Sequence, residues 1–321
     1  MLQAGVLVEL VGLQQQPAPL GEHAKRRYDF NGTWAQLMEE ETPGQWIAAA
    51  LTGQVIKVRT ENLRLLNSIA FGNYDMVLGP KSEVPIVAAE IVSQLQIKGY
   101  CNLQYFLSDA SIHACLETAE KLNTDGHLSR INYRFEEGYL GLGGTGRTIS
   151  MDFNKAELPD YVKQSCLAQI DANISALSLA LRPHVDDSLG FSIYSRTNLL
   201  LRTPLPPHQR NGADVLYSDL PEDEGLDEGF ENTSSHLEEP TNGEAQSFLQ
   251  YMRRGKILVL LFIGPGEGRI RLVERCSCPT DQSVETGERS DSKEIFIPCE
   301  SRTMVVIHTE KFDWSLDEPN S

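Results

Sequence analysis

KILVLLFIGPGEGRIRL, residues 256–272, decides the fold class of this chain. Its first half is an uninterrupted apolar run that is long enough for a buried strand and far shorter than the roughly 20 residues of a membrane span. The Gly-Pro-Gly sequence at 264–266 favours a turn. The arginines that alternate with aliphatic residues after it predict a second strand. We therefore expect two strands joined by a tight turn.

The segments upstream of this hairpin contain helices, and the segments downstream contain strands. Apolar residues that recur at steps of three and four predict the longest helix, over 159–181. Shorter helices are expected at 82–98 and 109–122, with strands at 100–106, 131–135, 148–153, 191–205, 294–298 and 303–308. Helices followed by strands predict an α+β domain with a mainly antiparallel sheet. Because a strand follows the glycines at 141–146, that loop is expected to be a hairpin connection rather than a dinucleotide-binding turn.

The first 67 residues alternate short apolar segments with turn signals, which predicts four strands, at 6–13, 34–40, 45–51 and 54–59. Such short strands must curl to hide their apolar face, and this favours a small barrel. Val8-Glu9-Leu10-Val11-Gly12-Leu13, Asn31-Gly32 and the run from Gln54 to Leu63 resemble the short SH3-like barrel repeat. Thr60 stands where that repeat usually has proline. The resemblance implies an SH3-like barrel over residues 1–67, followed by a linker over 68–82.

Acidic residues dominate the charge of the chain, and many of them lie in one segment. The net charge is −17, which repels phosphate backbones and makes nucleic acid an unexpected partner. Residues 214–250 contain no lysine or arginine, so we expect a solvated, disordered insertion over about 214–243 that ends in a helix at 244–254. Neither a membrane partner nor a signal peptide is indicated, and we expect a cytoplasmic protein. Its six scattered cysteines are expected to be mostly reduced.

Three further stretches resemble the prolyl-4-hydroxylase-like iron(II)/2-oxoglutarate oxygenases. They are Leu95 to Phe106, Arg254 to Leu272 and Ile297 to Ile307, which are similar to strands of that family in pattern rather than by signature. The resemblance implies a double-stranded β-helix (jelly-roll) domain over residues 83–318. It also implies an oxidoreductase that uses iron(II) and 2-oxoglutarate, with ascorbate as an optional further cofactor, to hydroxylate a protein or a small molecule.

Such a dioxygenase needs two histidines and one carboxylate on one face of the iron, and a basic residue for 2-oxoglutarate. His184 and Asp186 match the His-x-Asp motif of the first two ligands, and His308 is the available second histidine. Lys311 is the available basic residue. The positions depart from the family: His184 precedes the expected strand, and the register places Asp313 and Trp314 nearer the position of the last ligand. Lys311 follows His308 too closely, because the family's basic residue lies about ten positions further on.

Two functions therefore remain open from the sequence. The first is a divergent iron(II)/2-oxoglutarate dioxygenase with His184, Asp186 and His308 as metal ligands. The second is a pseudoenzyme, an oxygenase-like scaffold without a metal that serves as a protein-interaction module. The residues favour the second, because the ligand pattern is incomplete.

Overall fold

The computed structural model shows a mixed α+β protein with several antiparallel sheets. It describes residues 2–14, 30–50, 54–65, 74–79, 82, 84–155, 157–205, 239–264, 266, 268–275 and 293–317. Most of the predicted acidic insertion, residues 214–238, lies outside the described residues, as do 68–73 of the predicted linker. No helix within the described ranges is long and apolar enough to cross a membrane.

The N-terminal region forms a five-stranded antiparallel sheet. Its strands are β1 (Leu7–Leu10), β2 (Trp34–Thr42), β3 (Gln45–Ala50), β4 (Val55–Arg59) and β5 (Leu63–Leu65), in the order β4-β3-β2-β1-β5. A 3₁₀ turn, Thr60–Asn62, redirects the chain so that β5 returns to β1. Alternate side chains such as Leu10, Leu37 and Ile56 are fully buried on one face. The four predicted strands are confirmed, but the described strands do not close into a barrel.

Six helices follow, within the described part of the chain. They are α1 (Val84–Lys98), α2 (Asp109–Thr124), α3 (Tyr133–Leu140), α4 (Asp160–Lys163), α5 (Cys166–Leu189) and α6 (Asn242–Arg254). Helices α1 and α5 pack against each other. Their buried residues share one apolar core with a central sheet, because helices bury one face and leave the other to solvent.

The central sheet has the strand order β11-β14-β7-β6. Its strands are β6 (Met76–Leu78), β7 (Tyr100–Tyr105), β11 (Ile257–Leu261) and β14 (Thr303–His308). Only β6 and β7 pair in parallel. Strand β14 is buried along its whole length, since Met304 and Val306 face the helices while Val305 and Ile307 face a second core. This strand therefore separates the two cores.

Two three-stranded antiparallel sheets complete the fold. One contains β8 (Ser129–Arg130), β9 (Arg147–Met151) and β10 (Leu199–Thr203), and the other contains β12 (Arg269–Glu274), β13 (Glu294–Pro298) and β15 (Phe312–Asp317). The second sheet buries Ile270, Leu272 and Phe312 against β14 and β11. The strand pair predicted from residues 256–272 is present, but β11 and β12 lie in different sheets.

Three predicted elements need correction. The strand expected at 131–135 is wrong, because Asn132 accepts a hydrogen bond from the backbone of Arg134 and begins α3 instead. The helix expected over 159–181 is two helices, since Ser165 caps a new start for α5. The second half of the predicted linker contains β6, which Asp75 holds in place by accepting hydrogen bonds from the Asn102 amide and Lys98.

One disulfide is an exception to the expectation that most of the cysteines are reduced. Cys115 of α2 bonds to Cys166, the first residue of α5, across a sequence separation of 51 residues. Cys101 and Cys299 are buried free thiols, and burial raises the pKa of both, that of Cys299 to about 12. These two are therefore protonated and unreactive near neutral pH.

Candidate functional site

His184 and Asp186 lie inside helix α5 rather than after it. Asp186 is exposed, and its carboxylate accepts a hydrogen bond from the Ser192 hydroxyl at 2.7 Å. His184 is half-buried, one residue before Val185, which is fully buried. Residues two apart on a helix point in directions about 200° apart. The His-x-Asp motif therefore does not direct these two side chains toward one metal ion.

Helix α5 continues past Pro183 because its apolar face continues. The apolar periodicity predicts an end at 181, two residues before Pro183, and a proline in a helix interior removes a backbone hydrogen bond. Pro183 is exposed, however, while Leu181 and Val185 on the core side stay buried. Gly190 ends the helix in a left-handed conformation, with φ of +76°. Burial of the continuing apolar face outweighs the lost hydrogen bond, so the tertiary structure carries the helix eight residues beyond its predicted end.

His308 ends β14 and is the most buried of the predicted ligands. Its imidazole is 7% exposed and lies against the Phe191 ring, with 5.4 Å between ring centroids. Neither ring nitrogen has a hydrogen-bond partner among the described residues. The Glu310 carboxylate is 3.6 Å from Nε2, which is too long for a hydrogen bond and short enough for an ion pair if the ring is protonated.

Burial keeps the His308 imidazole neutral. Desolvation lowers the pKa of His308 from its ordinary value, and the nearby cations Lys311 and Lys256 act in the same direction. The Glu310 carboxylate opposes this effect, but burial is the larger of the two. A neutral, buried imidazole with both nitrogens available has the form that a metal ion requires.

We expect His308 to make the stability of the fold depend on pH. The unfolded chain takes up a proton at this residue near pH 6.5, and the folded chain does so only at lower pH, so stability falls as pH decreases below about 6.5. The slope from this residue approaches about 1.4 kcal/mol per pH unit. Urea denaturation between pH 7.5 and 5 should show a smaller decrease for His308→Gln, whereas the exposed-site variant His113→Gln should match the wild type. Equal slopes in all three proteins would contradict the burial argument.

Lys311 stabilises the end of helix α1. Its ammonium donates hydrogen bonds to the backbone carbonyls of Leu95 and Gln96, at 3.2 and 2.9 Å. Both carbonyls lie in the last turn of α1, where a helix runs out of its own amide donors. The Leu95 carbonyl also accepts a hydrogen bond from the Gly99 amide, at 3.0 Å. Gly99, with φ of +82°, lets the chain turn tightly beneath the Lys311 and Phe312 side chains. The lysine predicted to bind 2-oxoglutarate therefore acts as a helix cap.

The residues near the expected position of the last ligand also have structural partners. Asp313 pairs with Arg275 across neighbouring strands, at 2.7 Å. Trp314 packs on Gly141, which has φ of +87° and no room for a side chain. The backbone carbonyl of Trp314 accepts a hydrogen bond from the Leu142 amide. The glycine-rich loop thus packs on β15, which explains its composition without a nucleotide.

The described residues do not fit an iron site. No group of three or more histidine, cysteine, aspartate and glutamate side chains in the described ranges could hold a metal ion. All three predicted ligands belong to those ranges, so the structure does not gather His184, Asp186 and His308 into one cluster. Their assignment as ligands stays a prediction from the sequence, and we derive no reaction step from it.

Two surface depressions lie elsewhere. One, of about 510 Å³, runs along a single face of α6, and the other, of about 260 Å³, lies between α2 and the β9–β10 pair. The larger is lined by Gln246, Leu249, Gln250, Arg253 and Arg254. None of the predicted ligands lines either depression. The smaller depression is formed by packing between elements, so no local sequence pattern predicts it.

No protein-family model matches the sequence, and no curated protein sequence matches it. Among solved structures, the chain is similar to a prolyl-4-hydroxylase from Pseudomonas putida. The match has a TM-score of 0.35 and 11% sequence identity, and it covers 73% of this chain and 92% of that chain. Likeness at this level establishes neither a family nor an activity.

Proposed function

We propose that this chain is a protein-interaction module built on an oxygenase-like arrangement of helices and sheets. The observation that carries the proposal is the position of Lys311. Its ammonium caps helix α1, so it is not free to pair with 2-oxoglutarate. Asp186 is likewise turned to solvent and to Ser192. The oxygenase-like character itself is supported by the sequence resemblance of residues 95–106, 254–272 and 297–307.

The N-terminal sheet supplies one part of the proposed module. Its SH3-like character is supported by the sequence motifs that it contains, and its described strands, in the order β4-β3-β2-β1-β5, bring the last strand back beside the first without closing into a barrel. Gly12 and Asn62, both within the resembling motifs, hold the two ends of this unit together, because the Asn62 amide donates to the Gly12 carbonyl at 3.1 Å. We assign residues 1–67 to this unit and 83–318 to the second.

The acidic segment supplies a second part of the proposed module. Residues 214–250 contain acids and no lysine or arginine. A concentration of negative charge attracts positively charged protein surfaces and repels nucleic acid. A basic protein partner therefore suits this chain.

The second candidate function is the oxygenase, and His308 is the observation that favours it. A buried imidazole without hydrogen-bond partners among the described residues is uncommon and calls for a cause, such as a bound water or ion. His308 could provide one ligand to iron. The chain would then have to bring further ligands to it, and the described arrangement does not do so.

A thermal-shift titration separates the two functions. A ligand that binds only the folded state must raise the melting temperature. We expect no increase when Mn(II) and 2-oxoglutarate are added together, relative to either one alone. We also expect Lys311→Met to lower the melting temperature slightly with or without them, since it removes the cap of α1. A joint increase in the wild type that is lost in His308→Gln would overturn the proposal in favour of the oxygenase.

A further inference from the structure

Strand β11 has an open edge. It lies at the end of the central sheet and pairs with β14 alone among the described strands. At its two ends, the Thr309 amide donates to the Lys256 carbonyl and the Phe262 amide donates to the Thr303 carbonyl. Bonding to a neighbouring antiparallel strand alternates along a strand. The even-numbered residues 256–262 therefore bond to β14, and the backbone groups of Ile257, Val259 and Leu261 point to the opposite edge.

This edge lacks the protection that exposed strand edges normally carry. Natural sheets discourage pairing with other chains by placing charges or proline on edge strands. End strands of the two three-stranded sheets have such residues: β10 contains Arg202, β13 contains Glu294 and Pro298, and β15 contains Asp313 and Asp317. At the other end of the central sheet, β6 also has neither, but it is only three residues long, and short edge strands are themselves protective. Strand β11 reads Ile-Leu-Val-Leu-Leu and has neither. An uncharged, unpaired edge of this kind favours the addition of another strand.

We propose that β11 pairs with β11 of a second copy of this chain. A two-fold axis through Val259 would place Ile257 opposite Leu261 of the second copy and Val259 opposite its own equivalent. All three outward-facing residues then meet outward-facing residues, and each opposed pair exchanges two hydrogen bonds. Two central sheets would become one continuous sheet that is antiparallel across the new contact. Such a two-fold contact is isologous, which is typical of homodimers.

The charges at the two ends of β11 complement each other in this arrangement. Arg253 and Arg254 precede the strand, are exposed, and form no ion pair with an acidic residue in the described part of the chain. At the far end, Ser301 donates to the Ile263 carbonyl at 2.9 Å, which places Glu300 beside that end. Glu300 is exposed, and its carboxylate also accepts a long hydrogen bond from the Tyr74 hydroxyl, at 3.4 Å. Antiparallel pairing brings the basic end of one copy to the acidic end of the other. This complementarity is why a second copy is a suitable occupant despite a net charge of −17.

Sedimentation equilibrium of the full chain tests the proposal. We expect a monomer–dimer equilibrium that Val259→Pro weakens about tenfold or more, because proline removes one outward amide from each copy. Arg254→Glu and Glu300→Arg should each weaken the dimer, and the double variant should restore it. Both charge variants lie on the surface, so their circular dichroism should match that of the wild type.

Three results would overturn the proposal. A wild-type chain that remains monomeric at a concentration on the order of 1 mM has no affinity in the range of such contacts. A dimer that persists in folded Val259→Pro uses another surface. A dimer that neither single charge variant weakens does not have the antiparallel register.

Discussion

Removal of the Cys115–Cys166 disulfide is expected to lower the free energy of unfolding by about 4 kcal/mol. The bond closes a loop across a separation of 51 residues, and a cross-link of that span restricts the unfolded chain strongly. It also joins α2 to the first turn of α5, whose buried residues line the main core. Urea denaturation of the oxidised protein and of Cys115→Ala measures this difference directly.

The double variant Cys115→Ala/Cys166→Ala provides the control for this prediction. A reducing agent should destabilise the wild type to about the level of the variants and should leave the double variant unchanged. If alkylation and mass spectrometry find both thiols free in protein purified without reductant, the disulfide assignment is wrong. A loss below about 1 kcal/mol would show that the cross-link hardly restricts the unfolded state.

Substitution of Glu136 by alanine is expected to cost about 3 to 5 kcal/mol. Glu136 accepts two hydrogen bonds from the Arg130 guanidinium, at 3.1 and 2.9 Å, and both side chains are largely buried. Truncation of the carboxylate leaves the Arg130 charge in the interior without this partner. The pair also ties β8 to α3, so its loss should loosen the glycine-rich loop that follows α3.

Two further variants test whether the loss of stability in Glu136→Ala comes from the buried ion pair. Glu117→Ala removes a carboxylate that faces His113 on the solvent side of α2, where an ion pair contributes little, so a change below about 1 kcal/mol is expected. Glu136→Gln keeps the shape of the side chain and should lose less than Glu136→Ala. Equal free energies of unfolding for Glu136→Ala and Glu117→Ala in chemical denaturation would contradict a stabilising role of the buried pair.

The sequence predicts those elements whose local pattern agrees with their tertiary surroundings. Strand β11 and the helices α1 and α2 are of this kind, because apolar periodicity and flanking glycines predict their boundaries to within two residues. Helix α3 is different, since its start depends on the side chain of Asn132, which an apolar stretch at 131–135 obscures. Helix α5 is different again, because packing of Val185 overrides the local effect of Pro183.

The candidate site shows where reading a sequence reaches its limit. The sequence indicates His308 as a ligand by its place after the last predicted strands, and the structure adds its burial and its lack of hydrogen bonds among the described residues. The role of Lys311 could not be inferred from the sequence. The carbonyls of Leu95 and Gln96 lie beside it only in the folded chain, where Gly99 turns the backbone after α1. The disulfide likewise depends on a contact between residues 51 positions apart.

Electron paramagnetic resonance of Mn(II) in the presence of 2-oxoglutarate shows whether the chain binds the metal, because it measures the free ion. We expect the signal of free Mn(II) to grow in proportion to the metal added, with and without the protein, since the described side chains form no cluster that holds a metal. One-to-one loss of the signal that requires 2-oxoglutarate and disappears in His308→Gln would contradict this expectation.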